Sequence, residues 1–193
     1  DFYANCVGKI THTFCGQKLR QFPINFGSST LTHQIADPEL VKLGSEYINR
    51  LGYRGYGEIE FKKHPEDGNF YLIEINARLS TLNVLFDKCG VEFTYAIYRD
   101  LVGDPLPEVH LEEELPWAFW HAYEDAISCL AYWRKKQLTL RQIIAPWLKH
   151  RKAHAIWAID DVRPLFSFSM LIFKKGFNKI LRLFQTTKKP GTA

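Results

Sequence analysis

Apolar and polar positions alternate loosely through "DFYANCVGKITHTFC" (1–15), broken at Gly8, and this pattern predicts a strand–turn–strand hairpin. "GQKLRQFPINFGSST" follows, and Pro23, Gly27 and three hydroxyl residues make part of it a loop. The period changes at "DPELVKLGSEYINRLG", where Leu40, Leu43, Tyr47, Ile48 and Leu51 form one helical stripe. Asp37 suits the N-cap, Pro38 the first turn and Gly52 the C-terminal stop. Alternation returns in "GYGEIEFKKHPEDGNFYLIEIN", two strands around a Pro-Glu-Asp-Gly turn. "VEFTYAIYRDLVG" predicts a helix that Gly103 and "DPLP" stop. Beyond Glu108, "EELPWAFWHAYEDAISCLAYWRKKQ" and "TLRQIIAPWLKH" predict helices, "AHAIWAI" a short strand, and residues 163–185 a last helix. The expectation is an α+β fold, a mostly antiparallel sheet flanked by helices, with a helical C-terminal extension. A boundary near 108–116 would divide residues 1–108 from 109–193.

The second hairpin raises a question of charge. If it folds about Asp67, Glu60 falls opposite Glu74 and Glu58 opposite Asn76, all four on one face. Ile59, Phe61, Tyr71, Ile73 and Ile75 then form a core face, and Glu74 stands among residues that favour burial. Like charges directly opposite repel, and burial raises that cost. Two readings meet it. Oxygen ligands without thiol or imidazole suit a hard cation, Mg²⁺ or Mn²⁺, with Arg78 facing the phosphates of a bound nucleotide. Alternatively, the carboxylates form a solvated face beside Lys and Arg neighbours. The residues by themselves leave both open.

"GYRGYGEIEF", a short turn, "FYLIEINAR" and, after a spacer, "CGVEFTYAIYRDLVGDPLP" together resemble the C-terminal lobe of the ATP-grasp superfamily. The nearest flavour is that of carbamoyl-phosphate-synthase large chains and biotin carboxylases. The resemblance spans roughly residues 1–108, and the Glu…Glu-x-Asn-x-Arg series is its most specific part. It implies that Glu60 and Glu74 are metal-binding carboxylates and Asn76 an amide ligand. Arg78 would be the catalytic arginine, in contact with phosphate or a developing acyl phosphate. Glu58 falls where the family pattern varies. Lys18 and Arg20 become candidates for binding the nucleotide or substrate, although their spacing to Pro23 departs from the family. Their alternative is ordinary exposed strand charge.

The implied cofactors are ATP and Mg²⁺ (or Mn²⁺), and the implied partners a small-molecule carboxylate and an amine or thiol nucleophile. The implied activity is an ATP-dependent ligase, which joins the two through an acyl phosphate. Such a site lies between two lobes. The chain is therefore expected to be part of a longer protein, with an N-terminal domain and first lobe before Asp1, and inactive alone. The competing class is a non-catalytic interaction module with a degenerate site.

Composition changes this picture only in places. With 46% apolar and 24% charged residues the 193-residue chain is ordinary globular protein. Cys6, Cys15, Cys89 and Cys129 lack CxxC spacing, so free thiols in a cytoplasmic setting are expected. No secretory leader pattern opens the chain. Trp117, Trp120, Trp133, Trp147 and Trp157 all lie in the extension, where they are expected to pack it against the lobe or a second subunit. A homodimer stays open. His150 and His154 lack a third ligand and are expected at the surface. Between Val162 and Ala193 stand seven Lys or Arg and no acidic residue. This basic tail forms no nucleic-acid motif. It fits a docked terminal helix, the expectation here, or a helix lying on an anionic membrane.

Overall fold

The computed structural model describes residues 1–158 and 160–186, with side chains of the last helix followed as far as Lys175. The chain opens with β1 (Phe2–Ala4), β2 (Ile10–Thr13), β3 (Gly16–Phe22) and β4 (Ser28–Gln34), then α1 (Pro38–Leu51). β5 (Gly55–Lys63) and β6 (Phe70–Asn76) form the second hairpin, followed by α2 (Asn83–Lys88) and α3 (Phe93–Leu101). After β7 (Val109–His110) come β8 (Trp117–Trp120), α4 (Ala122–Arg134), α5 (Leu140–Lys149), β9 (Arg151–His154) and α6 (Arg163–Thr186). One sheet runs β6-β5-β1-β2-β7 and the other β3-β4-β8-β9. Pairing is antiparallel except between β2 and β7 and between β8 and β9. The class is α+β, as expected.

α1 forms as its sequence predicts. The Asp37 carboxylate accepts the Leu40 N–H at 2.9 Å, and Gly52 closes the helix at φ 60. Its buried stripe is narrower than the apolar pattern: Ile48 is buried, whereas Leu51 and Tyr47 are exposed. The helix meets β5 through Gly44, where a Cβ would lie 3.6 Å from Ile59 and 3.8 Å from Phe61. That close approach leaves the flanks of the stripe beyond the sheet.

The region after Glu108 departs from expectation. Trp117–Trp120 is a strand, not the start of a helix. Its aromatic run suits a pleated surface, and it pairs with β4 on one side and β9 on the other. The helix begins only after His121, whose Nδ1 accepts the Glu124 N–H. The strand expected within "AHAIWAI" starts earlier, at Arg151, and Asn83–Lys88 is a helix that the pattern did not predict. Phe119 and Ala153 share one buried cluster with Tyr3, Phe14, Phe86 and Phe93. Residues 109–155 therefore belong to the same compact unit as residues 1–108. The division falls between Ala155 and Ile156, not near 108–116. The second unit, from Ile156, contains α6.

One buried carboxylate ties the first unit together. Asp125 on α4 is fully buried, and Arg20 on β3 is 2% exposed. Arg20 donates to Asp125 from Nε at 2.7 Å and from Nη2 at 2.8 Å. Thr30 Oγ1, Trp120 Nε1 and Trp147 Nε1 each donate to the same carboxylate at 3.0 Å. The remaining guanidinium edge donates to the Ile143 carbonyl, and the group lies over the Trp147 ring. Trp117 packs beneath Lys88 and Arg151, so three of the five tryptophans are structural, while Trp133 and Trp157 are exposed. All four cysteines are free.

His150 is buried, not superficial, with its ring 4.7 Å from that of His33. His33 Nε2 meets Gln17 Oε1 at 2.9 Å, and its Nδ1 is buried without a hydrogen bond, 3.7 Å from Glu114. His154 packs against Trp120.

Two outcomes follow. Arg20→Ala should cost about 3–5 kcal/mol in urea unfolding, because Asp125 is left charged and unpaired. The Arg20→Ala/Asp125→Ala double variant should lose clearly less than the sum. Burial, and then mutual or Lys149 repulsion, holds His33 and His150 below the ordinary 6.5, with Glu114 acting in the opposite sense. The unfolded chain then takes up protons first as pH falls, so stability present above 6.5 is lost toward acid. Melting temperature should drop from neutral pH to about pH 5, and His33→Gln should flatten that drop.

Candidate functional site

The β5–β6 hairpin has the predicted register at its open end: Glu58 opposes Asn76, Ile59 opposes Ile75 and Glu60 opposes Glu74. The register then shifts, so that Phe61 opposes Leu72 and Lys62 opposes Tyr71. Ile73 is the unpaired extra residue of a bulge. Beyond it the alternation inverts, and Tyr71 moves to the acidic side. β6 is also an edge strand, so Tyr71, Leu72 and Ile73 are exposed rather than core. Glu74 is exposed with them, not buried in an apolar strand.

Each opposed carboxylate has found a donor. Lys18 Nζ lies 3.0 Å from Glu60 Oε2 and 3.3 Å from Oε1. Asn76 Nδ2 donates to Glu74 Oε1 at 2.8 Å, which leaves the amide oxygen free to accept a cation. Glu58 is held above its ordinary value, by burial first and then by Glu60, while Lys18 and Arg78 pull the other way. Arg78 follows β6 and is exposed, with Nη1 3.4 Å from the Leu79 carbonyl.

Lys18, Glu58 and Glu60 line a cleft of about 530 Å³, with Lys62, Lys63 and the α1 face around Gly44. Glu74, Asn76 and Arg78 are not among its lining residues. Among the described residues no three His, Cys, Asp or Glu side chains gather as a metal cluster. The donor set is thus two opposed carboxylates and one amide oxygen. That suits Mg²⁺, which takes one or two carboxylates and completes its shell with water and phosphate.

Arg20 does not join this group. β3 bulges between Lys18, which opposes Thr32, and Arg20, which opposes Leu31. The bulge at Leu19 sends the two cations to opposite faces: Lys18 to the acidic hairpin, Arg20 to the Asp125 pair. Both edges of the Arg20 guanidinium are occupied there, so the structure corrects its expected nucleotide-facing role. The sequence reading also passed over Tyr56. Burial raises its hydroxyl well above the ordinary tyrosine value. The hydroxyl donates to Asp1 Oδ1 at 2.6 Å and accepts the Ser80 N–H at 3.2 Å, which fixes the turn after Arg78. Lys62 and Lys63 were overlooked as well, although "EFKK" directly continues the acidic strand.

Residues 22–109 match the family model for the carbamoyl-phosphate synthase L chain, ATP binding domain. The chain carries an ATP-grasp segment of this kind. The matched residues make up fewer than half of the chain. They contain the whole β5–β6 hairpin but stop short of α4, so the ATP-grasp segment excludes Asp125. Mitochondrial carbamoyl-phosphate synthases (ammonia) of Rattus norvegicus, Homo sapiens and Aquarana catesbeiana are each 35% identical over 63 residues. Those residues are 32% of this chain and 4% of each relative, so the chain covers a small part of those proteins.

Gly57 sets the approach to Glu58. A Cβ there would meet the Phe2 ring at 2.6 Å, and Phe2 is buried against Tyr53. Gly57→Ala should cost about 1–3 kcal/mol in chemical denaturation, because the buried Phe2 ring must shift to admit the methyl group.

Proposed function

We propose that the chain is the part of an ATP-dependent ligase that holds Mg²⁺ and the transferring phosphate. The observation that carries this is the Glu60–Glu74 pairing in a hairpin that lies within the ATP-grasp segment. Opposed carboxylates repel, Lys18 alone among their hydrogen-bond donors brings positive charge to this pair, and a bound metal–nucleotide complex would supply more. Glu60, Glu74 and the Asn76 amide oxygen would hold the ion, and Arg78 would meet the phosphate oxygens. Lys18 would be shared between Glu60 and the nucleotide, with Lys62 and Lys63 adding positive charge to the cleft wall.

Bound Mg²⁺ supplies charge neutralisation and orientation for the phosphates. In the reaction proposed, a carboxylate oxygen attacks the γ-phosphorus, and ADP leaves with the electron pair of the broken P–O bond. The acyl phosphate then yields to an amine or thiol, which loses a proton as phosphate departs. None of this requires a nucleophilic side chain from the protein, and positioning and charge supply most of the catalysis. A second lobe would complete the nucleotide site, so the activity belongs to the protein that carries this chain.

The test follows ADP release by that protein with Mg²⁺-ATP and pooled carboxylates, including amino acids. ADP should appear with particular pools and fall at least ~100-fold in Glu74→Ala, beyond the range typical of residues that merely support a ligand. A Mn²⁺ titration of the 193-residue chain gives a readout independent of turnover, and uptake should weaken in the same variant. Mn²⁺ uptake indifferent to Glu74, with no ADP from any pool, would leave an interaction module instead.

A further inference from the structure

α6 carries a chemistry that the hairpin does not use. It has 24 residues, about 36 Å at 1.5 Å per residue. Among its described side chains, Phe166 is 71% and Met170 67% exposed, with Leu165 and Leu171 also exposed. In the sequence, Phe166, Met170, Phe173, Phe177, Ile180 and Phe184 recur at alternating spacings of four and three. Lys174, Lys175, Lys179 and Arg182 fall between them, and no acidic residue follows Asp161. Among the described residues no helix is long and apolar enough to cross a membrane.

We propose that α6 is an in-plane anchor for an anionic lipid surface, its phenylalanine seam entering the acyl boundary and its cations meeting the headgroups. A seam with this spacing can also pair two copies of a chain. Here that pairing would bring cation to cation in either orientation, since the helix offers no Asp or Glu as a partner. An anionic leaflet turns the same charges into attraction. An acidic protein groove is the third candidate occupant. Grooves grip a few anchors at i, i+3, i+4 and i+7, over about two turns. In the sequence the same apolar spacing continues from Phe166 to Phe184, about five helical turns, which suits a plane. A phenylalanine-rich seam with lysine and arginine on the remaining faces is also the composition of helices that lie in an interface rather than span it.

The test is flotation of the full 193-residue chain with vesicles of phosphatidylcholine alone and of an equimolar mixture with phosphatidylglycerol. Partitioning to the anionic vesicles should be at least ~tenfold stronger and should weaken at about 0.5 M salt. Lys174→Glu/Lys175→Glu should cut it by ~tenfold or more, and Phe166→Ser/Met170→Ser by a similar factor. Equal partitioning to both vesicle types, or to neither, overturns the proposal, and the wild-type comparison needs no variant to fold. Absence of flotation together with Phe166-dependent self-association would assign the seam to a second copy. Absence of flotation with capture by polyglutamate would assign it to an acidic polypeptide. Either result overturns the lipid assignment.

Discussion

The first unit is organised around a carboxylate that has no access to water. Five donor groups meet on Asp125: two from Arg20 on β3 and one each from Thr30 on β4, Trp120 on β8 and Trp147 on α5. A fully buried charge is tolerated only where its lone pairs are filled, and here they are filled from four elements besides its own helix. The consequence reaches the acidic hairpin. β3 is held by Arg20 on one face, and its other face can then present Lys18 to Glu60. The pair that looks purely structural thus sets the position of the nearest cation to the site.

This also explains why residues 109–155 are not an appendage. Sequence style changes after Glu108, and the change is real, but it marks a change in composition rather than a break in packing. Phe119 and Ala153 enter the same cluster as Phe14 and Phe93, and β8 completes hydrogen bonding along β4. The ATP-grasp segment ends near residue 109 in likeness, while its core continues.

What the sequence made legible was local. The N-cap and stop of α1, the two hairpins and the Glu60–Glu74 register all depend on residues within about twenty positions of one another, where turn chemistry and alternation speak directly. Two bulges defeated the same reasoning a few residues further on. One extra residue at Leu19 parted Lys18 from Arg20, and another at Ile73 moved Tyr71 across the sheet. A bulge has no signature in an apolar–polar pattern, because it inserts a residue without changing its type. Long-range pairing was equally hidden. Nothing near Arg20 announces Asp125, more than a hundred residues on, and nothing near β6 announces that it ends the sheet among the described residues.

That edge position gives the two opposed carboxylates unequal mechanical footing. Glu60 sits between Ile59 and Phe61, which lie beneath α1, and is gripped by Lys18. Glu74 follows three exposed side chains on a strand with a neighbour on one side alone. Stiffness therefore falls across the width of a single hairpin. Any tightening about a ligand would fall to the Glu74 side chain and the outer edge of β6, so that Glu60 serves as the anvil and Glu74 as the jaw.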